Sequence, residues 1–207
     1  QEVIDIINEK ADIKIDIIDG KTEAAIIAST DLHYLLKTEQ TYLYVDVGGG
    51  STELILISKG KLVDKWSFNI GTLRMALGQV KEKNWKKLDK WVDAFKGKHQ
   101  PLYGIASGGN INTIQKSFIK HKEPEVYYDD LKYTISKLEK LSIDERILKY
   151  GFKPDRADVI VPAATIFMHI MEHLNIDKLY VPKVGLGDGM IHEMYEKVIS
   201  KKQSKKK

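Results

Sequence analysis

Eight consecutive residues, Asp46-Val47-Gly48-Gly49-Gly50-Ser51-Thr52-Glu53, carry the densest chemistry in the sequence. The apolar run Tyr42 to Val47 reads as a strand, and Asp46 near its end is expected to aim a carboxylate from the sheet edge into a cleft. Gly48, Gly49 and Gly50 have no side chains, so their N–H groups can converge on one point as an anion-binding nest, with the hydroxyls of Ser51 and Thr52 as further donors. Phosphate suits such a nest. Asp46 and Glu53 are hard oxygen ligands of the kind that hold Mg2+ against a phosphate. A glycine hairpin with a hydrogen-bonded aspartate would explain a lone triplet; the acid before it and the Ser-Thr-Glu after it favour the phosphate reading. Ser107-Gly108-Gly109-Asn110 repeats the device after another short apolar run, and Gly185-Leu186-Gly187-Asp188-Gly189 forms a third glycine turn.

The elements that must position these turns follow from hydrophobic period. Val3, Ile4, Ile6 and Ile7 recur at helical spacing, Ile13, Ile15 and Ile17 alternate as a strand does, and a helix is expected from Thr22 to Leu36. A boundary is placed near residue 40. A three-strand meander is then expected, with runs at Tyr42 to Val47, Leu54 to Ile57 and Leu62 to Ile70. Two helices should lie between Gly71 and Phe95, the second burying Trp85, Leu88, Val92 and Phe95. Leu102 to Ala106 reads as a buried strand leading into a helix with Ile111, Ile114 and Phe118. Leu131, Ile135 and Leu138 mark another helix, Ser142-Ile143-Asp144-Glu145 has capping-box spacing for the next, and Ile160 to Leu174 is strongly apolar. A short strand at Lys178 to Val181 and a final helix with Ile191, Met194, Tyr195 and Val198 complete the pattern: an α/β fold whose strands repeatedly end in glycine turns.

With 207 residues, 43% hydrophobic and 30% charged, the chain has the composition of a globular protein and not of a disordered or fibrous one. It contains no cysteine, which removes disulfides, thiolate nucleophiles and cysteine zinc sites; metal chemistry must use carboxylate or histidine. No uninterrupted apolar run approaches the roughly 20 residues that span a bilayer, and the expected setting is cytoplasmic without a membrane partner. The formal charge of +4 rests on five lysines among residues 201–207. Such a tail reads as a solvated end, so a nucleic-acid partner is not expected.

The string Asp46 to Glu53 resembles the signature of the exopolyphosphatase and guanosine pentaphosphate phosphohydrolase family. Other segments agree in order: Ile17-Ile18-Asp19-Gly20-Lys21-Thr22-Glu23-Ala24, Asn69-Ile70-Gly71-Thr72-Leu73-Arg74, Pro154-Asp155-Arg156-Ala157-Asp158 and the turn from Gly185 to Gly189. The resemblance implies an actin-like (ribonuclease-H-type) fold, a mixed sheet flanked by helices with a helix-rich second half. It also implies magnesium-assisted attack of water on the terminal phosphate of polyphosphate or pppGpp, and a homodimer. Glu23 would be the general base, Asp46 and Glu53 the metal ligands. Gly48 to Thr52, Arg74, and Ser107, Gly108, Gly109 and Asn110 would bind phosphate. The family's first Asp-x-Gly-Ser-type turn has no counterpart here, so residues 1–40 are expected to be the end of a first actin-like domain and 41–207 the second. Thr22, Asn110 and Gly187 stand where the family usually has an acid, threonine and arginine.

Three rival readings are weighed. An ATP-using relative of the same fold would place Ser107 to Asn110 on a nucleotide, and a sensor would grip polyphosphate or an alarmone without cutting it. His169-Ile170-Met171-Glu172-His173 matches the His-x-x-Glu-His string of inverted zinc peptidases, but on a helix these polar residues fall off the buried stripe, are expected to be solvated, and have no third ligand nearby in sequence.

Overall fold

The computed structural model describes residues 2–15, 17, 39–120, 122–182, 191, 194 and 195. Its centre is a six-stranded mixed sheet in the order β3-β2-β1-β4-β6-β5, where β1 is Thr41–Val47, β2 Thr52–Ser58, β3 Lys61–Phe68, β4 Leu102–Ser107, β5 Glu125–Tyr127 and β6 Lys178–Tyr180. The first three form an antiparallel meander. β1 then pairs parallel with β4, in register Asp46 to Ser107, and β4 pairs parallel with β6.

β1 and β2 are buried on both faces, which is why they read as nearly continuous apolar runs. One face carries Leu43, Val45, Val47, Leu54, Leu56 and Ala106 into the main core. The other carries Tyr42, Tyr44, Ile55, Ile57 and Ile105. Successive side chains alternate, so Asp46 shares the face of Tyr42 and Tyr44. The edge strand β3 is largely exposed and carries Lys61, Asp64 and Lys65, charges that discourage edge pairing.

Helices cover the main core face: α2 (Thr72–Ala76), α3 (Glu82–Asp93), α4 (Gly109–Phe118), α5 (Tyr128–Leu138), α6 (Ile143–Tyr150), α7 (Pro154–Ala157) and α8 (Ile160–Leu174), while α1 (Glu2–Ala11) precedes the sheet with no buried residue. α8 buries Ile160, Ala163, Ala164, Ile166, Phe167, Ile170, Met171 and Leu174; each large apolar side chain buried there contributes about 1.5–3 kcal/mol. The stretch Pro154–Leu174 has the length and mean hydropathy, 1.2, that a membrane span can have, but it is interrupted by Asp155, Arg156 and Asp158, and 56% of that window is buried inside the protein. α3 docks on the sheet through buried Leu88 and Val92, and Trp91 donates its indole N–H to Asp64 at 2.8 Å.

The capping box at Ser142 forms as expected: the Ser142 N–H donates to Glu145 Oε2 at 2.7 Å and the Glu145 N–H to Ser142 Oγ at 3.2 Å. The expected strand at Ile13 to Ile17 does not form. Ile13, Ile15 and Ile17 are exposed, and no strand of the described sheet pairs with them; alternation alone gives a segment two faces but supplies no ladder partner. The expected helix from Thr22 to Leu36 and the third glycine turn lie outside the described residues. β5, three residues long, was too short to show a period.

Candidate active site

Because β1 and β4 run parallel side by side, their C-terminal ends deliver two glycine turns to the same sheet edge, the position where open α/β sheets bind ligands. A cleft of about 560 Å³ opens there, lined by Asp46, Gly48 and Gly49 from the first turn and Gly108, Gly109 and Asn110 from the second. Thr72 and Leu73 form one wall, and Asp155, Arg156, Asp158 and Val159 another.

The first turn is held by its carbonyls. Gly48 N–H donates to the Ser51 carbonyl at 2.9 Å, Gly48 O accepts from Thr72 N–H at 2.9 Å, and Gly49 O accepts from the N–H groups of Leu73 at 3.0 Å and Arg74 at 3.3 Å. Gly50 O accepts from Arg74 Nε at 2.7 Å. Three consecutive carbonyls are thereby anchored to α2, whose first N–H groups need acceptors. In a trans peptide the C=O and the following N–H point in opposite directions. The amides of Gly49, Gly50 and Ser51 are therefore turned away from α2, and among the described residues they meet no acceptor. Open donors in a row are what an anion-binding nest requires. Its seat is Gly71, where a Cβ would stand 2.4 Å from the Gly49 oxygen and 2.4 Å from the Gly50 carbonyl carbon.

The second turn is set by Gly108, at φ +109°, a conformation open to glycine; a Cβ there would also press to 3.1 Å from Asp46 Oδ1. Gly108 is the N-cap of the ten-residue α4 and provides no side-chain cap, so the helix presents its first N–H groups and positive dipole end to the cleft.

The expected site residues divide into two groups. Asp46, Gly48, Gly49, Gly108, Gly109 and Asn110 line the cleft. The side chains of Glu53, Thr52, Ser107 and Arg74 brace it from behind. Ser67, Glu53, Asp46 and Ser107 form a row across four strands in register; Glu53 is buried, and its Oε1 accepts from Ser51 Oγ at 2.6 Å and Ser67 Oγ at 2.8 Å, fixing the exit of the glycine turn. Buried Thr52 spends its hydroxyl on the Ile70 carbonyl at 2.6 Å, and the Ser107 hydroxyl accepts from Tyr44 at 2.5 Å. Arg74 grips the loop rather than the cleft. Glu23 lies outside the described residues.

Three charged cleft residues, Asp155, Arg156 and Asp158, were absent from the site inferred from sequence, although their segment carried the family resemblance. The Arg156 guanidinium lies over Gly109, where a Cβ would stand 2.9 Å from Nη2, with Nη1 3.4 Å from Asn110 Oδ1 and Nε 3.8 Å from Asp155. Asp158 keeps Oδ1 buried without a hydrogen-bond partner among the described residues, as a group that takes up a water or an ion does. The signal was a run of charges, Asp155-Arg156-Ala157-Asp158, set directly before a wholly apolar helix.

The sequence profile of the Ppx/GppA phosphatase family matches residues 1–198. The chain belongs to this family. It is 27% identical over 203 residues to the bifunctional 3-dehydroquinate synthase/phosphatase of Fusobacterium nucleatum, covering 84% of this chain and 29% of that protein. It is 24% identical over 206 residues to the guanosine-5'-triphosphate,3'-diphosphate pyrophosphatase of Photobacterium profundum, covering 89% of this chain and 40% of that protein. The chain thus spans well under half the length of these relatives. The crystal structure of an exopolyphosphatase from Cytophaga hutchinsonii superposes with a TM-score of 0.76 at 22% identity, covering 94% of this chain and 70% of that one. The Aquifex aeolicus family member gives 0.71 at 21% identity, covering 95% and 69%. The fold is therefore the actin-like fold of the Ppx/GppA phosphatases, a mixed sheet flanked by helices.

Proposed function

We propose that this chain supplies one wall of a phosphohydrolase active site that releases the terminal phosphate of inorganic polyphosphate or of pppGpp by attack of water. The observation that carries the reading is the pairing of two glycine turns at the ends of parallel β1 and β4, with the freed amides of Gly49, Gly50 and Ser51 on one side and the uncapped start of α4 on the other. Both offer positive dipoles to an anion, and Arg156 adds a full charge. The names of the relatives, a pppGpp pyrophosphatase and an exopolyphosphatase, supply the two substrate classes. These present the same chemistry, a terminal phosphoanhydride.

In this account water attacks the terminal phosphorus, the bond to the bridging oxygen breaks, and inorganic phosphate departs. Glu23, from the resemblance, takes the proton of the attacking water. The amides of Gly49, Gly50 and Ser51 stabilise charge on the transferred phosphoryl oxygens, where phosphoryl transfer gains most. Arg156 neutralises a neighbouring phosphate, and Arg74 and Glu53 keep the loop in place. The donor set fits a magnesium ion: Asp46 lines the cleft and Asp158 brings a buried carboxylate oxygen that no donor among the described residues satisfies. Glu53, bonded to two hydroxyls beside Asp46, orients this end of the sheet. Magnesium held there would offset the negative charge of the phosphate chain.

The test is phosphate release with magnesium from polyphosphate and from pppGpp by the intact protein and its Glu23→Gln variant. Release that disappears in the variant is expected, and the faster substrate names the specificity. Tight binding of both with no release from either would replace hydrolysis by sensing.

A further inference from the structure

On the side of the molecule away from the cleft opening, α3 and α8 pack with a second constellation of ligating groups between them. α3 carries Trp85, Asp89 and Asp93 four residues apart, and α8 carries His169 and His173, so each set lies on one helical face. The expectation that the two histidines are solvated does not hold. His169 Nε2 lies 2.7 Å from Asp89 Oδ1, and His173 Nε2 lies 2.9 Å from Asp93 Oδ1. Glu172 of the His-x-x-Glu-His string lies toward the Tyr128 hydroxyl, whose pKa is raised by burial and by this carboxylate, and is not among the groups that converge with the two histidines.

We propose that Asp89, His169 and His173 form a zinc-type divalent metal site that clamps α3 to α8, with Asp93 orienting His173. One ligand atom from each of the three lies within 4.8 Å of the others. His173 sets Nε2 against Asp93 Oδ1 and turns Nδ1 toward Asp89 Oδ1 at 4.0 Å. Asp89 therefore faces a ring nitrogen of each histidine, the placement that a shared cation needs. Ligands about 2.0–2.2 Å from one zinc ion stand about 3.4 Å apart at a tetrahedral angle, so the site closes when ligand atoms move by up to about 1.4 Å relative to one another. The Asp93–His173–metal relay is the arrangement that fixes the tautomer of a metal-bound imidazole. Trp85 packs on the His169 ring at 4.5 Å, and the two imidazoles lie 17° from parallel, which limits ring motion. Side-chain exposures of 34%, 29% and 26% for His169, Asp89 and His173 leave a path for the ion and room for a water as fourth ligand. Imidazole and carboxylate without thiolate suit Zn2+, and Co2+ or Ni2+ as probes.

The role follows from the place. α8 begins directly after Asp158, and His169 and His173 sit about 15–20 Å further along the same helix by its rise. Clamping it to α3 holds the cleft wall without touching substrate.

The experiment uses the intact protein stripped with chelator and titrated with Zn2+ alone, followed by calorimetry and metal analysis, and with Co2+ followed by its visible spectrum. One equivalent is expected, with an intense tetrahedral Co2+ spectrum and a melting temperature raised by about 5–10 °C at a hundredfold excess over Kd. His173→Ala should abolish that equivalent. Asp93→Asn, which keeps the side-chain volume and removes only the orienting charge, should weaken it about 10–100-fold, and Asp46→Asn should leave it intact. Stoichiometry and affinity unchanged in both His173→Ala and Asp93→Asn, or no melting shift with zinc in a folded wild type, would overturn the site and leave two histidine–aspartate ion pairs.

Discussion

Replacing Gly71 by alanine tests how the glycine loop is held. The new methyl carbon would stand 2.4 Å from the Gly49 oxygen and 2.4 Å from the Gly50 carbonyl carbon, both backbone atoms with no rotamer to yield. Gly71 itself is extended at φ −134°, ψ 158°, a conformation alanine adopts freely, so the whole effect is steric. Restoring ordinary contact requires the loop to withdraw from α2 by about 1 Å, and misplacement on that scale costs about 100-fold in rate. Overpacking costs about 1–3 kcal/mol, which lowers the melting temperature by about 3–10 °C for a chain of this size. The assay is steady-state phosphate release from polyphosphate by the intact protein beside a thermal melt. Gly60→Ala is the control. Its φ of +68° strains alanine, yet nothing lies within 4 Å of the added carbon, so it should lose about 1–2 kcal/mol with no loss of rate. Full activity in Gly71→Ala, or an equal rate loss in Gly60→Ala, would refute the reasoning.

Other outcomes follow from the same geometry. Thr52→Val leaves the Ile70 carbonyl without its hydroxyl donor, and should destabilise by about 1–3 kcal/mol in a denaturant melt while the rate per folded molecule stays near wild type, because that hydroxyl faces away from the cleft. Arg156→Ala should raise KM for polyphosphate by about tenfold or more, with the difference shrinking at high salt; an unchanged KM would remove Arg156 from substrate contact. The Glu145 carboxylate is held below its ordinary value of 4.5 by the Ser142 N–H and hydroxyl. Its pKa is depressed in the folded state, so its contribution to stability is present above the unfolded value and is lost as pH falls through the folded one. Melting curves of wild type and Glu145→Gln should therefore differ at neutral pH and converge in acid as the pH falls through the depressed folded-state value.

The central strands and the helices after them were legible because their burial is one-sided or complete along a regular period: the Tyr42 to Val47 run and the Ile160 to Leu174 helix reappear nearly residue for residue. Ile13 to Ile17 failed because a period of two says nothing about a neighbouring ladder. The glycine turns were legible as turns ending apolar strands, and the structure brings two of them to one cleft. The division of labour around them was not, since Glu53, Thr52 and Arg74 look like ligands in a string and become braces once hydroxyls and carbonyls 14 to 24 residues away come into reach. The same limit hid Asp89 and Asp93, each 80 residues from its histidine. Arg156 and Asp158 entered the cleft because α7 turns the chain across the open end of β4, a placement that no local spacing encodes.

The most direct test of the account is single-turnover phosphate release from polyphosphate with magnesium by the intact protein and its Asp46→Asn variant, with melting temperatures measured alongside. Asp46 lines the cleft between both glycine turns, and the variant keeps its shape while removing its charge. The account predicts a loss of about 100-fold or more with the fold retained. A folded Asp46→Asn protein releasing phosphate within a few-fold of wild type would contradict it.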